Sequence, residues 1–279
     1  MEAAEALRLA AAALAEVSGD EAQREAKLIV AHLLAIAPRQ LLLHWYDQID
    51  QQQLWQIIEQ RQHHQPLQYI LGEQEFMGLP FTVSPAVLIP RGDSERPVEA
   101  AIELLKYLPQ PVIADICCGC GAYAVSLAYY LPQSRLIAID ISHDALAVAK
   151  ENAICNGVAS RIDFLEGDLL QPLAAQPYIF DMIISNPPYV RTADITVLSP
   201  EVRREPFRAL DGGLDGLDFY RRLATESGTL LKDGGWLVIE HGFDQAEDVS
   251  RILNDCGWTI NHKILDYGGN NRAVIAQKD

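Results

Sequence analysis

Phe180-Asp181-Met182-Ile183-Ile184-Ser185-Asn186-Pro187-Pro188-Tyr189 decides how this chain folds. Phe180 to Ser185 is an apolar run with the length of a buried strand. Two consecutive prolines end it, because each removes a backbone donor and fixes φ. The residue before a proline is pushed out of the α region, so Asn186 leaves the strand in a constrained, extended backbone. In open α/β sheets the C-terminal edge of the strands is where ligands bind. Asn186 to Tyr189 offers acceptors there: the Asn186 side-chain oxygen and the carbonyl oxygens of Asn186 and Pro187, with no N–H from Pro187 or Pro188. Tyr189 adds a flat face for a planar group. A planar NH2, in an amide or on a nucleobase, fits that inventory. The plain alternative is a Pro-Pro loop that only ends a strand.

Around this stretch the pattern alternates regularly. Strands are expected at 112–116, 135–140, 161–165, 180–185, 235–240, about 259–265 and 272–277. Helices are expected at 122–130, 143–156, 217–231 and 244–256. This is a doubly wound α/β domain. Its first strand runs out through Asp115 into Cys117-Cys118-Gly119-Cys120-Gly121. A small-residue loop between strand and helix lets backbone N–H groups approach a ligand closely. Asp140 closes the second strand, where an acidic side chain receives ribose hydroxyls. Asp168 and Leu169 follow the third strand, with Asp168 placed to meet the amino group of an adenine. The loop lacks a full Gly-x-Gly-x-x-Gly, so S-adenosylmethionine suits it better than a dinucleotide. The combination looks like a class I methyltransferase. Cys117-x-x-Cys120 has metal or redox spacing, but Cys155 and Cys256 supply no matching pair, so small residues filling a tight loop are expected instead of a metal.

Upstream, residues 1–72 read as a small helical domain. Leu7, Ala10, Leu14 and Val17 share one helical face, and Ala22, Ala26, Ile29, Leu33 and Ile36 another. Ser18 with Glu21 has capping-box spacing before the second helix. A third helix is expected over 51–62, broken by Pro66 and Gly72. His63-His64 has no third ligand at helical spacing and reads as surface. Residues 73–90 alternate like a hairpin about a Gly78-Leu79-Pro80 turn. Ser94 is expected to cap the next helix, which opens the cofactor domain, 91–279.

Hydrophobic residues make up 49% of the 279 and the net charge is −16, with no basic block. That argues against a broad grip on a phosphate backbone and is compatible with a basic protein partner, although most of these charges serve solubility in the plainer reading. The N-terminus carries Glu2 and Glu5 and no cationic leader, and the five cysteines are an odd number, so a reducing, cytoplasmic setting without membrane spans is expected.

The chain resembles the protein-(glutamine-N5) methyltransferases that modify peptide chain release factors. The resemblance runs through Gln65-Pro66-Leu67-Gln68-Tyr69-Ile70-Leu71-Gly72, Ile89-Pro90-Arg91-Gly92-Asp93-Ser94-Glu95, Ser185-Asn186-Pro187-Pro188-Tyr189-Val190, Glu205-Pro206, Ala209-Leu210, Asp215-Gly216-Leu217 and Glu240-His241-Gly242-Phe243-Asp244-Gln245. It implies a seven-stranded Rossmann-like sheet behind a helical N-terminal domain that engages the release factor. A β-hairpin linker joins the two. It also implies S-adenosylmethionine as cofactor and a Gly-Gly-Gln glutamine as target. Asn186, Pro187 and Tyr189 take the catalytic positions, and with Pro188 they form the substrate site. Asp115, Cys117, Cys118, Gly119, Cys120, Gly121, Asp140, Asp168, Leu169 and Asn186 take the cofactor positions. Cys117 stands where the family has the loop's first glycine, and Gly92 where it has a proline. Two rival readings are a glutamine of a ribosomal protein and the adenine N6 of a nucleic acid. The second is disfavoured by the charge. A non-catalytic adaptor on the same fold is disfavoured by the intact Asn186–Tyr189 and Asp140.

Overall fold

A computed structural model of the chain describes residues 1–173 and 178–278, so Asp279 at the end of the expected cofactor domain lies outside the described residues. The chain forms two compact units: Met1–Glu73 with Ser199–Arg204, and Gln74–Leu198 with Glu205 onward.

The first unit is helical: α1 (Ala3–Ser18), α2 (Ala22–Leu33), α3 (Gln51–Gln62) and the short α4 (Leu67–Leu71). Ala6, Ala10 and Leu14 of α1 meet Ala26, Ile29 and Val30 of α2 and Leu54 and Ile58 of α3 in one apolar core. Asp50 caps α3 by accepting the amides of Gln52 and Gln53. Ser18 does not cap α2. Its backbone is still in the helical region, at φ −112° and ψ −7°, and its hydroxyl donates to Glu25 at 2.6 Å. Pro66 and Gly72 bracket α4, which the sequence reading took as a plain break; Gly72 ends it at φ 77°. The segment Ser199–Arg204 joins this unit through charge. Buried Arg61 bridges Glu25 (2.9 Å) and Glu201 (2.9 Å), and Arg204 donates to the His63 carbonyl at 2.7 Å.

The second unit opens within the first strand of the hairpin β1 (Glu73–Phe76) and β2 (Leu79–Thr82). Its turn is Met77-Gly78, at φ 53° and 70°, and not the expected Gly78-Leu79-Pro80. Positive φ at both central residues matches the right-handed twist of the strands, and Leu79 and Pro80 are thereby released into β2. Buried Asn152 fixes the hairpin to the rest of the unit. Its side chain accepts the Thr82 amide at 2.7 Å and donates to the carbonyls of Thr82 and Cys120.

There follow α5 (Glu95–Leu105), β3 (Val112–Ile116), α6 (Ala122–Tyr130), β4 (Arg135–Asp140), α7 (His143–Cys155), β5 (Ile162–Glu166) and β6 (Phe180–Ser185). After them come α8 (Phe207–Leu210), α9 (Asp218–Glu226), β7 (Leu231–Glu240), α10 (Ala246–Asp255), β8 (Trp258–Leu265) and β9 (Asn271–Lys278). Ser94 makes no capping bond to α5, because the 3-10 turn Gly92–Ser94 runs straight into the helix and leaves Ser94 already helical. The helix expected to reach residue 231 stops at Glu226. β7 starts early because Leu231 pairs with Phe180, and a bulge between Phe180 and Met182 absorbs the glycines Gly234 and Gly235.

The sheet has seven strands in the order β5-β4-β3-β6-β7-β9-β8, with β9 antiparallel to both neighbours. β3 and β6 are central and buried, which is why both read as continuous apolar runs. The chain runs outward from β3 to β5 and then returns to β6 on β3's other side, so the topological switch point lies between β3 and β6. Ile116 pairs in register with Ser185, and Cys117 and Asn186 therefore leave the sheet side by side.

Candidate active site

At that switch point, within the second unit, opens a cavity of about 750 Å³. This lies within the roughly 300–1,000 Å³ usual for small-molecule sites. Of the residues singled out in the sequence, Asp115, Cys117, Cys118, Gly119, Cys120, Asp140, Asp168, Leu169, Asn186 and Pro188 line it. Gly121, Pro187 and Tyr189 do not. Gly121, at φ 80°, lets α6 pack on α7, since a Cβ there would sit 3.1 Å from Ala149 Cβ.

The loop after β3 is tightly wound. Cys117 has φ 60° and Gly119 φ 54°. A Cβ on Gly119 would meet nothing within 4 Å, so its backbone borders open space. The amides of this loop are largely used internally, contrary to the expectation that they approach a ligand. Cys118 N–H donates to the Ile139 carbonyl, Gly121 N–H to the Cys118 carbonyl, and Gly119 N–H to Asp140 Oδ2 at 2.8 Å. Asp140 Oδ1 takes the Ser142 amide at 2.9 Å. Burial raises the Asp140 pKa, and the two amides work against that rise.

Asp115 is buried and accepts the Ala124 amide at 2.9 Å, capping the first turn of α6 from the preceding strand. Burial pushes its carboxyl up to about 8; the Ala124 bond opposes this and the nearby Asp140 charge adds to it. Burial also holds the three loop thiols above their usual range, Cys120 at about 12, with Asp115 and Asp140 contributing. Thiols so protonated are poor nucleophiles and poor metal ligands. Among the described residues no group of three or more His, Cys, Asp or Glu is arranged to hold a metal ion.

Asn186 borders the cavity half-buried, and no described residue hydrogen-bonds to its side chain. Pro187 and Pro188 are buried. The Tyr189 ring packs on the core of the sheet, not into the cavity. Burial, then Glu240, lifts its hydroxyl to about 12, while Arg272 and Arg91 pull it down.

Arg222 and several other wall residues carry no signal in the sequence. Asp168 Oδ1 is ion-paired with Arg222 at 2.9 Å and its Oδ2 accepts from Gln171 at 3.4 Å, so both oxygens already have protein partners. Phe207, Arg208 and Phe219 come from α8 and α9, on which no spacing rule pointed to a ligand. Glu205 joins two motifs that were legible only as an order along the chain. Its carboxylate accepts the Ile89 amide at 3.0 Å and pairs with Arg91, closing one wall of the cavity. Arg91 pairs with Glu205 and Arg222 with Asp168, and burial favours the uncharged form of Asp115, so Asp140 and Asp144 stand against Arg208 and leave the cavity slightly acidic in balance.

This sheet order, with a cofactor-sized cavity at the β3/β6 switch point and Asn-Pro-Pro-Tyr at its rim, defines a class I methyltransferase behind a small helical domain. The fold is shared with the N-terminal domain of human METTL16, with a TM-score of 0.55 at 18% identity, covering 72% of this chain and 75% of that one. It is shared also with a methyltransferase from Pyrococcus furiosus, with a TM-score of 0.52 at 18% identity, covering 73% and 90%. Residues 5–72 match the PrmC N-terminal domain and residues 98–203 the methyltransferase small domain. The chain is 47% identical to the release factor glutamine methyltransferase of Moorella thermoacetica, over 80% of this chain and 79% of that one. It is 37% identical to that of Vibrio cholerae, over 98% and 95%. The chain belongs to the release factor glutamine methyltransferase family.

Proposed function

We propose that this protein methylates the side-chain amide nitrogen of a glutamine in peptide chain release factors, at the Gly-Gly-Gln sequence. The observation that carries the reading is the Asn186 carboxamide, without a partner among the described residues, on the rim of a cofactor-sized cavity. S-adenosylmethionine, when bound, supplies a methyl group on a cationic sulfonium. The cavity fits it: the balance of charge is slightly acidic, Gly119 leaves open space beside the loop, and Asp140 stands at the end of β4 where ribose hydroxyls are received.

An amide nitrogen is delocalised and weakly nucleophilic. Asn186 Oδ1 and the Pro187 carbonyl accept its two N–H bonds, orient its lone pair, and stabilise the positive charge that develops on it. Pro187 and Pro188 contribute no donor that would compete for those oxygens. The nitrogen becomes acidic as the bond forms and loses its proton late, so no strong general base is required. Much of the remaining rate comes from holding the reacting atoms roughly 3–3.5 Å apart. Asp168, Leu169 and Phe219 border the adenine end. The helical first unit recognises the release factor. The enzyme works in the cytoplasm on a protein, with no direct contact to nucleic acid or membrane. No single described helix is long and apolar enough to cross a bilayer, and all five cysteines are free.

The test is mass spectrometry of a release factor incubated with the enzyme and S-adenosylmethionine, with DNA and ribosomal protein alongside. One added methylene on the Gly-Gly-Gln glutamine supports the reading. Methylated adenine with an untouched factor overturns it.

A further inference from the structure

The Asn186–Tyr189 loop cannot hold itself in place. Pro187 and Pro188 have no amide to donate, and the oxygens of Asn186 and Pro187 are needed for the substrate. Its ties must come from outside. On the entry side Ser185 Oγ donates to the Ile116 carbonyl at 2.7 Å. On the exit side the Tyr189 carbonyl accepts from Gln245 Nε2 at 3.0 Å.

Gln245 sits just before α10 and is 2% exposed. Its Nε2 also donates to the Gly216 carbonyl at 3.1 Å, and its Oε1 accepts the Gly242 amide at 2.9 Å and the Tyr220 hydroxyl at 3.3 Å. Two carbonyls face the nitrogen and two donors face the oxygen, so the amide can sit only one way round. Three loops are thereby joined through one saturated carboxamide. Glycines make the room for it. A Cβ on Gly216 would lie 2.5 Å from the Tyr189 carbonyl oxygen and 2.7 Å from Gln245 Nε2, and one on Gly242 would lie 2.9 Å from Gln245 Oε1.

We propose that Gln245 is a positioning residue for methyl transfer. By fixing the exit of the Asn186–Tyr189 loop, it sets where the Asn186 and Pro187 oxygens stand. The inference rests on the function proposed above. Gln245 does not line the cofactor cavity, so its loss acts on the reacting geometry and leaves cofactor binding alone.

The experiment uses the full chain with Gln245→Met and Gln245→Glu. In Gln245→Met, kcat on a release factor falls roughly ten- to a hundredfold, the scale of a small misplacement at the reacting atoms. The Kd for S-adenosylmethionine stays at the wild-type value. In the cofactor-free protein, hydrogen exchange rises at the Val190 and Thr192 amides, which are bonded to the Leu210 and Gly213 carbonyls. Gln245→Glu keeps both acceptor contacts but sets a carboxylate against two carbonyls. When protonated it regains a donor for Tyr189. Its activity relative to wild type at the same pH therefore recovers as the pH falls; of the groups around it, burial holds the Tyr220 hydroxyl protonated, and Arg191 and Asp244 are paired with each other at 3.0 Å. Wild-type kcat and unchanged exchange in a Gln245→Met protein that binds cofactor normally overturn the proposal. If Gln245→Met does not fold, a Gln245→Glu ratio that ignores pH overturns it. A wild-type enzyme that leaves the release factor unmodified instead defeats the function on which it rests.

Discussion

Asp140 holds the Gly119 amide at 2.8 Å, so the side chain at the end of the second parallel strand fixes the loop at the end of the first. The same carboxylate borders the cavity. Asp140→Ala therefore removes both a ligand acceptor and the tie that shapes the neighbouring backbone. Hydrogen bonds to a charged group contribute about 1.5–3 kcal/mol, so cofactor affinity should fall roughly ten- to a hundredfold. Calorimetry with S-adenosylmethionine measures it. An unchanged Kd would remove Asp140 from the site.

Asp115 gives the protein a pH-dependent stability. Its folded pKa, about 8, lies above the ordinary value of 3.8, because burial penalises the charged form. A group raised in this way favours the fold fully below its unfolded pKa, and that contribution is lost as pH rises through the folded one. Cofactor-free protein should therefore lose stability between about pH 4 and pH 8 from this residue. Asp115→Asn keeps an oxygen for the Ala124 amide and cannot ionise. Its Tm relative to wild type should rise steadily across that window. A difference that does not vary with pH would show that Asp115 is ionised at no cost in the fold.

What could be read from the sequence was what lies close together along it. An apolar run ended by two prolines announces β6 and its exit, and the alternation around it places Asp140 at a strand end. The misreadings have physical causes. Met77 accepts a left-handed backbone that favours glycine, so the hairpin turn was placed one residue late. Ser94 and Ser18 lie in helical backbone, where a side chain cannot cap, although their neighbours had the spacing of caps. The walls of the cavity were hidden because their ties are remote. Glu205 reaches the Ile89 amide across 116 residues, and no periodicity encodes that. Arg222 likewise meets Asp168 only because α9 is laid beside the loop after β5.

Cys117 carries backbone strain that its sequence position only hinted at. It occupies the family's glycine position at φ 60°, a region where a side chain costs roughly 1–2 kcal/mol. Its thiol also packs against the sheet's core, so removing the side chain has two opposed effects. Comparing two variants separates them. Cys117→Ala loses the thiol and keeps the strain, whereas Cys117→Gly loses both. The glycine variant should be more stable than the alanine variant by about 1 kcal/mol, the reverse of the usual order of these residues. Urea unfolding at neutral pH gives the comparison. An alanine variant at least as stable as the glycine one would mean that the loop bears no strain at this position.

Asn186 is where the proposed chemistry is most exposed to disproof. Its side chain has no described protein partner, so replacing it leaves no buried group unpaired and should disturb the fold little. Asn186→Ala removes one preorganised acceptor from the transition state, which typically lowers kcat by about 10²–10³. It also borders the cofactor cavity, but the Kd for S-adenosylmethionine should change far less than kcat, because the acceptor acts on the substrate amide. Asn186→Asp keeps an oxygen that can accept the same N–H bond and should retain part of the activity. The order wild type, aspartate, alanine in kcat, at nearly constant cofactor affinity, follows from an acceptor mechanism and from no role in which Asn186 merely shapes the loop. Single-turnover methylation of a release factor reads it directly. An alanine variant that turns over like wild type would remove the Asn186 side chain from the chemistry and leave the backbone carbonyls of residues 186 and 187 as the acceptors.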